Sequence, residues 1–213
     1  MFETLRNAWK IQDLRKKLLY TLLMIIIFRF GSSITVPFLD TTLVGTWMDQ
    51  NATNGNFLEY LDTMTGGALS KATIFSLSIT PYINASIIMQ LLTYALPPLE
   101  RLQQEGEEGR KTLNKITAFV ALGLALFMSV AYYFTLKNSM NAVPAKYLNG
   151  WHEYFVAAVI IASFMAGASL VIWMGNRIND KGIGNGVSML LFAGIAARFP
   201  TDMGRLISLT KSD

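Results

Sequence analysis

The segment "SLSITPYINASIIMQLL", Ser76 to Leu92, decides the fold class. It is apolar enough to sit in a bilayer, yet it carries Thr80, Pro81, Asn84, Ser86 and Gln90, which a simple anchor does not need. Ile79 and Ile83 are four residues apart and share a helical face, while Thr80, Asn84 and Ile87 or Ile88 fall on the neighbouring one. Two readings fit. Asn84 and Gln90 either hydrogen-bond to adjacent helices, worth about 1 kcal/mol or less each, or face a cavity while the aliphatic stripe meets another helix.

The rest of the chain places this segment among similar ones. Of 213 residues, 52% are hydrophobic and 15% charged, against about 25% charged in soluble domains; mean hydropathy is +0.37. The pI near 9.3 does not indicate nucleic acid, because the basic residues flank apolar runs instead of alternating with exposed aromatics. With no cysteine and only His152, disulfides, thiolate metal sites, cysteine nucleophiles and histidine clusters are excluded. His152 reads as a loop residue near an interface. Glu105, Glu107 and Glu108 lie beside their own Arg and Lys in "EGEEGRK", a solvated charged face. No residue pattern resembles an active site, and no metal or cofactor is expected.

A bilayer core needs about 20 apolar helical residues. Such runs occur at 18–36, 74–96, 116–136, 154–174 and, shorter and starting among glycines, 183–199. Pro97-Pro98 closes the second run, and Asn176-Arg177 closes the fourth. Loops are expected at 37–73, 97–115, 137–153 and 175–182, with an external tail or hinge at 200–213. Arg6, Lys10, Arg15, Lys16 and Lys17 precede the first run, and Arg101, Arg110, Lys111 and Lys115 follow the second. The 37-residue loop between those runs has only Lys71. The positive-inside rule then puts the amino terminus in the cytoplasm. Residues 1–17, with Phe2, Leu5, Trp9, Ile11 and Leu14 at helical spacing, read as an amphipathic helix on that face rather than a cleavable signal.

Three features exceed an anchor's needs. In "FLEYLDTMTGGALSKATIF", Phe57, Leu58, Leu61 and Met64 form a helical stripe that ends at Gly66-Gly67. This is either an ordinary interfacial helix or a mobile element folding back into the membrane over 57–73, which is tolerated only inside protein or beside a water-filled cavity. Arg29, inside the first run, would cost about 2.5–3.5 kcal/mol at mid-bilayer and either snorkels outward or pairs within the bundle. Gly182, Gly184 and Gly186 open the fifth run without a preceding strand, so they form a tight turn and a close packing face, not a phosphate loop. Val187 and Leu191 repeat the four-residue spacing of Ile79 and Ile83.

The stretches "GGALSKATIFSLSITPYINASIIMQLL", "EGEEGRK", "WMGNRINDKGIGNGVSMLLFAGI" and "FRFGSSITVP" together resemble the SecY family, the large subunit of the Sec protein-conducting channel, over residues 14 to 200. Ser78 stands where that family usually has glycine, and Asn176 where it often has an acid. The resemblance implies an all-α polytopic membrane protein whose five transmembrane helices form one half of a ten-helix inverted-repeat channel. It also implies that this half passes unfolded secretory polypeptides and releases transmembrane segments sideways. Ile79, Ile83, Val187 and Leu191 would belong to an apolar pore ring that dewets yet yields to a chain. Residues 57–73, with Phe57, Leu58, Leu61, Met64, Gly66 and Gly67, would be the plug. Asn84, Ile87 and Ile88 would lie on a lateral gate, with Pro81 at a kinked start of the second span.

Implied partners are lipid, a carboxyl-terminal half, small SecE-type and SecG-type subunits, the translocating polypeptide or signal sequence, and a motor ATPase (SecA) or ribosome. No specific nucleic-acid binding is expected of this half. The implied location is the bacterial plasma membrane. The end at Asp213, after five runs, is expected to reflect a fragment, a split channel or a half that pairs with another chain. The rivals are half of a secondary transporter, which needs an ionisable residue buried in the second to fourth span, and a non-channel insertase or scaffold.

Overall fold

The computed structural model describes residues 11–52, 57–147 and 150–210. Residues 1–10 of the expected amphipathic helix lie outside that range. The helices are α1 (Gln12–Gly31), α2 (Thr41–Ala52), α3 (Phe57–Met64), α4 (Thr80–Ala95), α5 (Pro97–Gln104), α6 (Glu107–Asn138), α7 (Trp151–Lys181) and α8 (Gly186–Thr210). Among the described residues there is no strand, only an isolated antiparallel bridge between Thr35 and Thr73.

The helix expected over 74–96 starts only at Thr80. Residues 65–79 run in successive turns, with Ala72 and Ser78 in the left-handed region at φ +46°, a backbone state incompatible with helix. Pro81 therefore does not kink a helix. It sits in the first turn of α4, where its missing N–H costs nothing and its fixed φ suits a helix start.

The loop expected over 97–115 is also helical for most of its length. Pro97 and Pro98 end α4 by opening α5, and Gly106 at φ +76° separates α5 from α6. Glu107 and Glu108 occupy the first turn of α6, where carboxylates meet the positive end of the helix dipole. Asn176-Arg177 closes the apolar run without ending the helix, since α7 continues to Lys181, and α8 passes through Pro200 to Thr210. Charge and proline mark where apolar sequence ends, which is not where the hydrogen-bonded helix ends.

Two helices, α6 and α7, are long and apolar enough to cross a membrane, and Gly186–Pro200 is a shorter apolar helical stretch. At about 1.5 Å per residue the 16 residues of α4 span about 24 Å, short of a hydrocarbon core of about 30 Å. The buried turns of 65–79 extend its reach.

Helix α6 packs between α4 and α7, while α1 lies against α7 and α8. One core joins Val36, Val44, Leu69, Leu136, Ile160 and Phe164, with Tyr132 edge-on to Phe164 at 5.0 Å. A second joins Met24, Phe28, Phe75, Ile79, Met174 and Leu190, with Phe28 and Phe75 stacked at 5.6 Å. Buried helical hydroxyls are satisfied locally: Thr93 Oγ1 donates to Met89 O at 2.7 Å, and Ser129 Oγ to Ala125 O at 2.6 Å. The outward surface is rich in large apolar groups, including Phe30, Leu91, Phe119, Phe127 and Phe192. So much outward-facing apolar area suits a hydrocarbon solvent or a protein partner, not water.

Candidate functional site

Helices α4 and α8 line a common cleft, and the start of α8 is fastened to α1 and α7. Thr21 Oγ1 of α1 accepts from Ile183 N at 3.1 Å, and Asn179 Oδ1 of α7 accepts from Gly186 N at 2.7 Å. Gly186 lies so near α7 that a Cβ there would fall 2.1 Å from Gly175 O. Gly182 is similarly confined by Ile178 O and Thr21, while Gly184 turns at φ +71°. This glycine turn holds the start of α8 close against α7.

The four aliphatic residues at four-residue spacing come together. Ile79 is fully buried in the second core, and Ile83, Val187 and Leu191 pack against that core from the rim. Ile83, Val187 and Leu191 also line a cleft of about 690 Å³ with Tyr82, Ser86, Ile87, Gln90, Asn114, Asn179, Asn185 and Ser188. Its lining combines polar side chains with the aliphatic Ile83, Ile87, Val187 and Leu191. A neighbouring cleft of about 510 Å³ shares Ser86, Gln90 and Asn114 and adds Thr93, Gln103 and Arg110. Ile79 does not line the 690 Å³ cleft; it is buried in the core against which Ile83, Val187 and Leu191 pack.

The polar residues of α4 therefore separate by face. Ser86 and Gln90 line the clefts, and Ile87 borders the larger one, whereas Asn84, Ile88 and Leu91 are exposed and line neither. Thr80 instead lines a small apolar cavity with Leu61, Thr65 and Tyr132. The single polar stripe read from the sequence becomes two surfaces with different neighbours.

The segment after α3 is fastened at many points. Gly66 and Gly67 form a closed helix end: Gly66 N donates to Thr63 O at 3.1 Å, Gly67 N to Asp62 O at 2.9 Å, and Gly66 takes φ +71°. This pattern terminates a helix with defined bonds and is more specific than a free glycine hinge. Leu61 packs against the first core and Met64 is half-buried; the side chains of Phe57 and Leu58 lie outside the described set. Beyond the glycines, Tyr132 OH donates to Leu69 O at 3.0 Å and Ser76 Oγ to Ala68 O at 2.9 Å. Val36 N donates to Ala72 O and Ile74 N to Ile34 O, both at 3.0 Å.

Arg29 is half-buried, and its Nη1 is buried without a hydrogen-bond partner, close enough to Gly66 that a Cβ there would lie 2.9 Å from it. Arg29 thus turns into the bundle. The sequence reading missed the ion pair between Arg198 of α8 and Asp62 of α3. Asp62 lies in the amphipathic stretch, but nothing local in the sequence points to a partner 136 residues away.

Comparison with known proteins places this arrangement. The SecY family profile matches residues 73–213, two thirds of the chain. The chain belongs to the SecY family. It is 40% identical over 204 residues to the protein translocase subunit SecY of Thermotoga maritima, covering 94% of this chain and 47% of that protein. With the Escherichia coli protein of the same name it shares 37% identity over 195 residues, covering 92% and 43%. The chain spans about half the length of these curated SecY relatives. A solved structure described as that of a protein conducting channel aligns with TM-score 0.58 over 85% of this chain and 36% of that one, at 18% identity. That likeness is one of fold: the all-helical arrangement is the SecY channel fold.

Proposed function

We propose that this chain is the amino-terminal half of the pore-forming subunit of a protein-conducting channel, which passes unfolded polypeptides across a bacterial plasma membrane and releases apolar segments sideways into lipid. The observation that carries the reading is the shared lining of one cleft by Ile83 of α4 and Val187 and Leu191 of α8, with Ile79 buried in the core they pack against. A ring of aliphatic side chains at a neck repels water and ions without binding the traversing chain. Residues 57–73 act as the plug, seated on the far side of that ring. The uncovered face of Asn84, Ile87 and Ile88 serves as the lateral gate, closed by a helix of the other half.

In this reading α1, α4, α6, α7 and α8 are the five spans, with the amino terminus cytoplasmic. The function is transport, with energy from a separate motor ATPase or ribosome, and small SecE-type and SecG-type subunits complete the assembly. The transporter alternative gains no support: α4, α6 and α7 bury no acidic or basic side chain.

The chain has no cysteine, so single cysteines can be placed at 83, 187 and 191 and tested for cross-linking to a polypeptide stalled in transit. Cross-linking at all three, with none at the outward-facing Phe119, is the expected result. Equal reaction at Phe119, or none at the three, would refute the pore assignment.

A further inference from the structure

We infer that Asp62 and Arg198 form a charge latch that holds the plug against α8 in the closed channel. The inference rests on the reading of residues 57–73 as the plug. Asp62 is 3% exposed and is the only charged residue fully buried among the described residues. Its Oδ2 is paired with Arg198 Nη1, and its Oδ1 accepts from Ser70 N at 2.8 Å.

The position of Asp62 makes a purely local role implausible. It lies in the last turn of α3, where the helix dipole disfavours a carboxylate, and a buried carboxylate without a counter-charge is strongly disfavoured. Only an element from elsewhere in the chain can supply the cation, and α8 does so across 136 residues of sequence.

The two elements are matched at a second point. A Cβ on Gly66 would fall 2.7 Å from Gly194 O, and one on Gly194 would fall 2.9 Å from Met64 O. Gly66 follows Asp62 by four residues, and Arg198 follows Gly194 by four. Two facing pairs one helical turn apart, running in opposite directions, make a registered seat: glycine against glycine, anion against cation. The turn beyond Gly67 is held separately, by Tyr132 of α6 and by its own backbone. Moving α3 off α8 therefore breaks the Asp62–Arg198 pair and the Gly66–Gly194 approach, whereas the Tyr132–Leu69 bond does not depend on α8.

The test uses the complete channel complex in membrane vesicles. In the double variant Asp62→Cys, Arg198→Cys, a bismethanethiosulfonate bridge as long as the two original side chains replaces the ion pair reversibly. The unbridged channel should leak small ions at least tenfold faster than the unsubstituted one, and bridging should reseal it and block translocation until a reductant is added. Asp62→Asn, which keeps an acceptor for Ser70 N–H, and Arg198→Met should each raise the leak, and combining them should add less than twofold. If bridging blocks translocation but neither the unbridged channel nor the single variants leak, the latch is wrong and the plug reading stands. If the bridge forms and translocation continues at the unsubstituted rate, the plug reading itself fails. Failure of the two cysteines to bridge overturns the contact.

Discussion

Ser78 holds φ at +46° in the turn just before α4, a backbone state that costs a residue with a Cβ about 1 kcal/mol or more. Glycine relieves that strain but raises the entropy of the unfolded chain. Ser78→Gly should therefore stabilise the protein by about 0.5–1 kcal/mol, read as a rise in thermal midpoint in detergent; destabilisation would mean that the Ser78 side chain matters more than its backbone angle. Asn84 presents the opposite case, a polar side chain on an uncovered apolar face. Replacing it with leucine adds apolar area to a surface proposed to close against another helix. Asn84→Leu should slow translocation of a weak signal sequence several-fold while leaving a strong one unchanged, and equal rates for the weak one would remove Asn84 from the gate.

Helix starts and ends carry the next scale. Asp40 caps α2: its Oδ1 accepts from Thr42 N at 3.0 Å and Thr42 Oγ1 at 2.5 Å. The Thr42 hydroxyl, and then its N–H, hold the Asp40 carboxyl below the usual carboxylate range. A lowered folded pKa contributes stability above the unfolded pKa that is lost as pH falls through the folded one. Amide exchange in the first turn of α2 should thus show a loss of protection below about pH 4, and Asp40→Asn should abolish that pH step while keeping a cap. At the other end of the bundle, Gly186 meets the Gly175 backbone. Gly186→Ala forces α7 and α8 apart, which should cost about 1–3 kcal/mol and lower the thermal midpoint. An unchanged midpoint would mean that the glycine turn relaxes freely.

For the whole molecule, the informative surface is the one left uncovered. Ile87, Ile88 and Leu91 of α4 are exposed together, beside a cleft lined by both aliphatic and polar side chains. The chain spans about half the length of its SecY relatives, and the proposed second half is the natural cover for this face. A single cysteine at Ile88 should react readily with a thiol reagent in the isolated chain and be protected at least fivefold in the complete complex. Equal reactivity in both would show that no partner helix covers α4 there.

Composition and apolar run length by themselves determined the all-helical class, because solvent preference is a sum over residues and needs no knowledge of contacts. The four-residue spacings of Ile79 with Ile83 and Val187 with Leu191 were equally legible, since helical faces repeat locally. Pro97-Pro98 was legible as the stop just after Ala95, whereas Pro81 opens a helix where a kink was expected, and Asn176-Arg177 ends the apolar run without ending α7, because a charge does not break backbone hydrogen bonds. Only the tertiary structure separated Asn84 from Ser86 and Gln90, buried Ile79 in the core and left it out of the cleft lining, and joined Asp62 to Arg198. Those outcomes depend on which segments meet across more than a hundred residues of chain, and no local pattern encodes the partner of a buried charge.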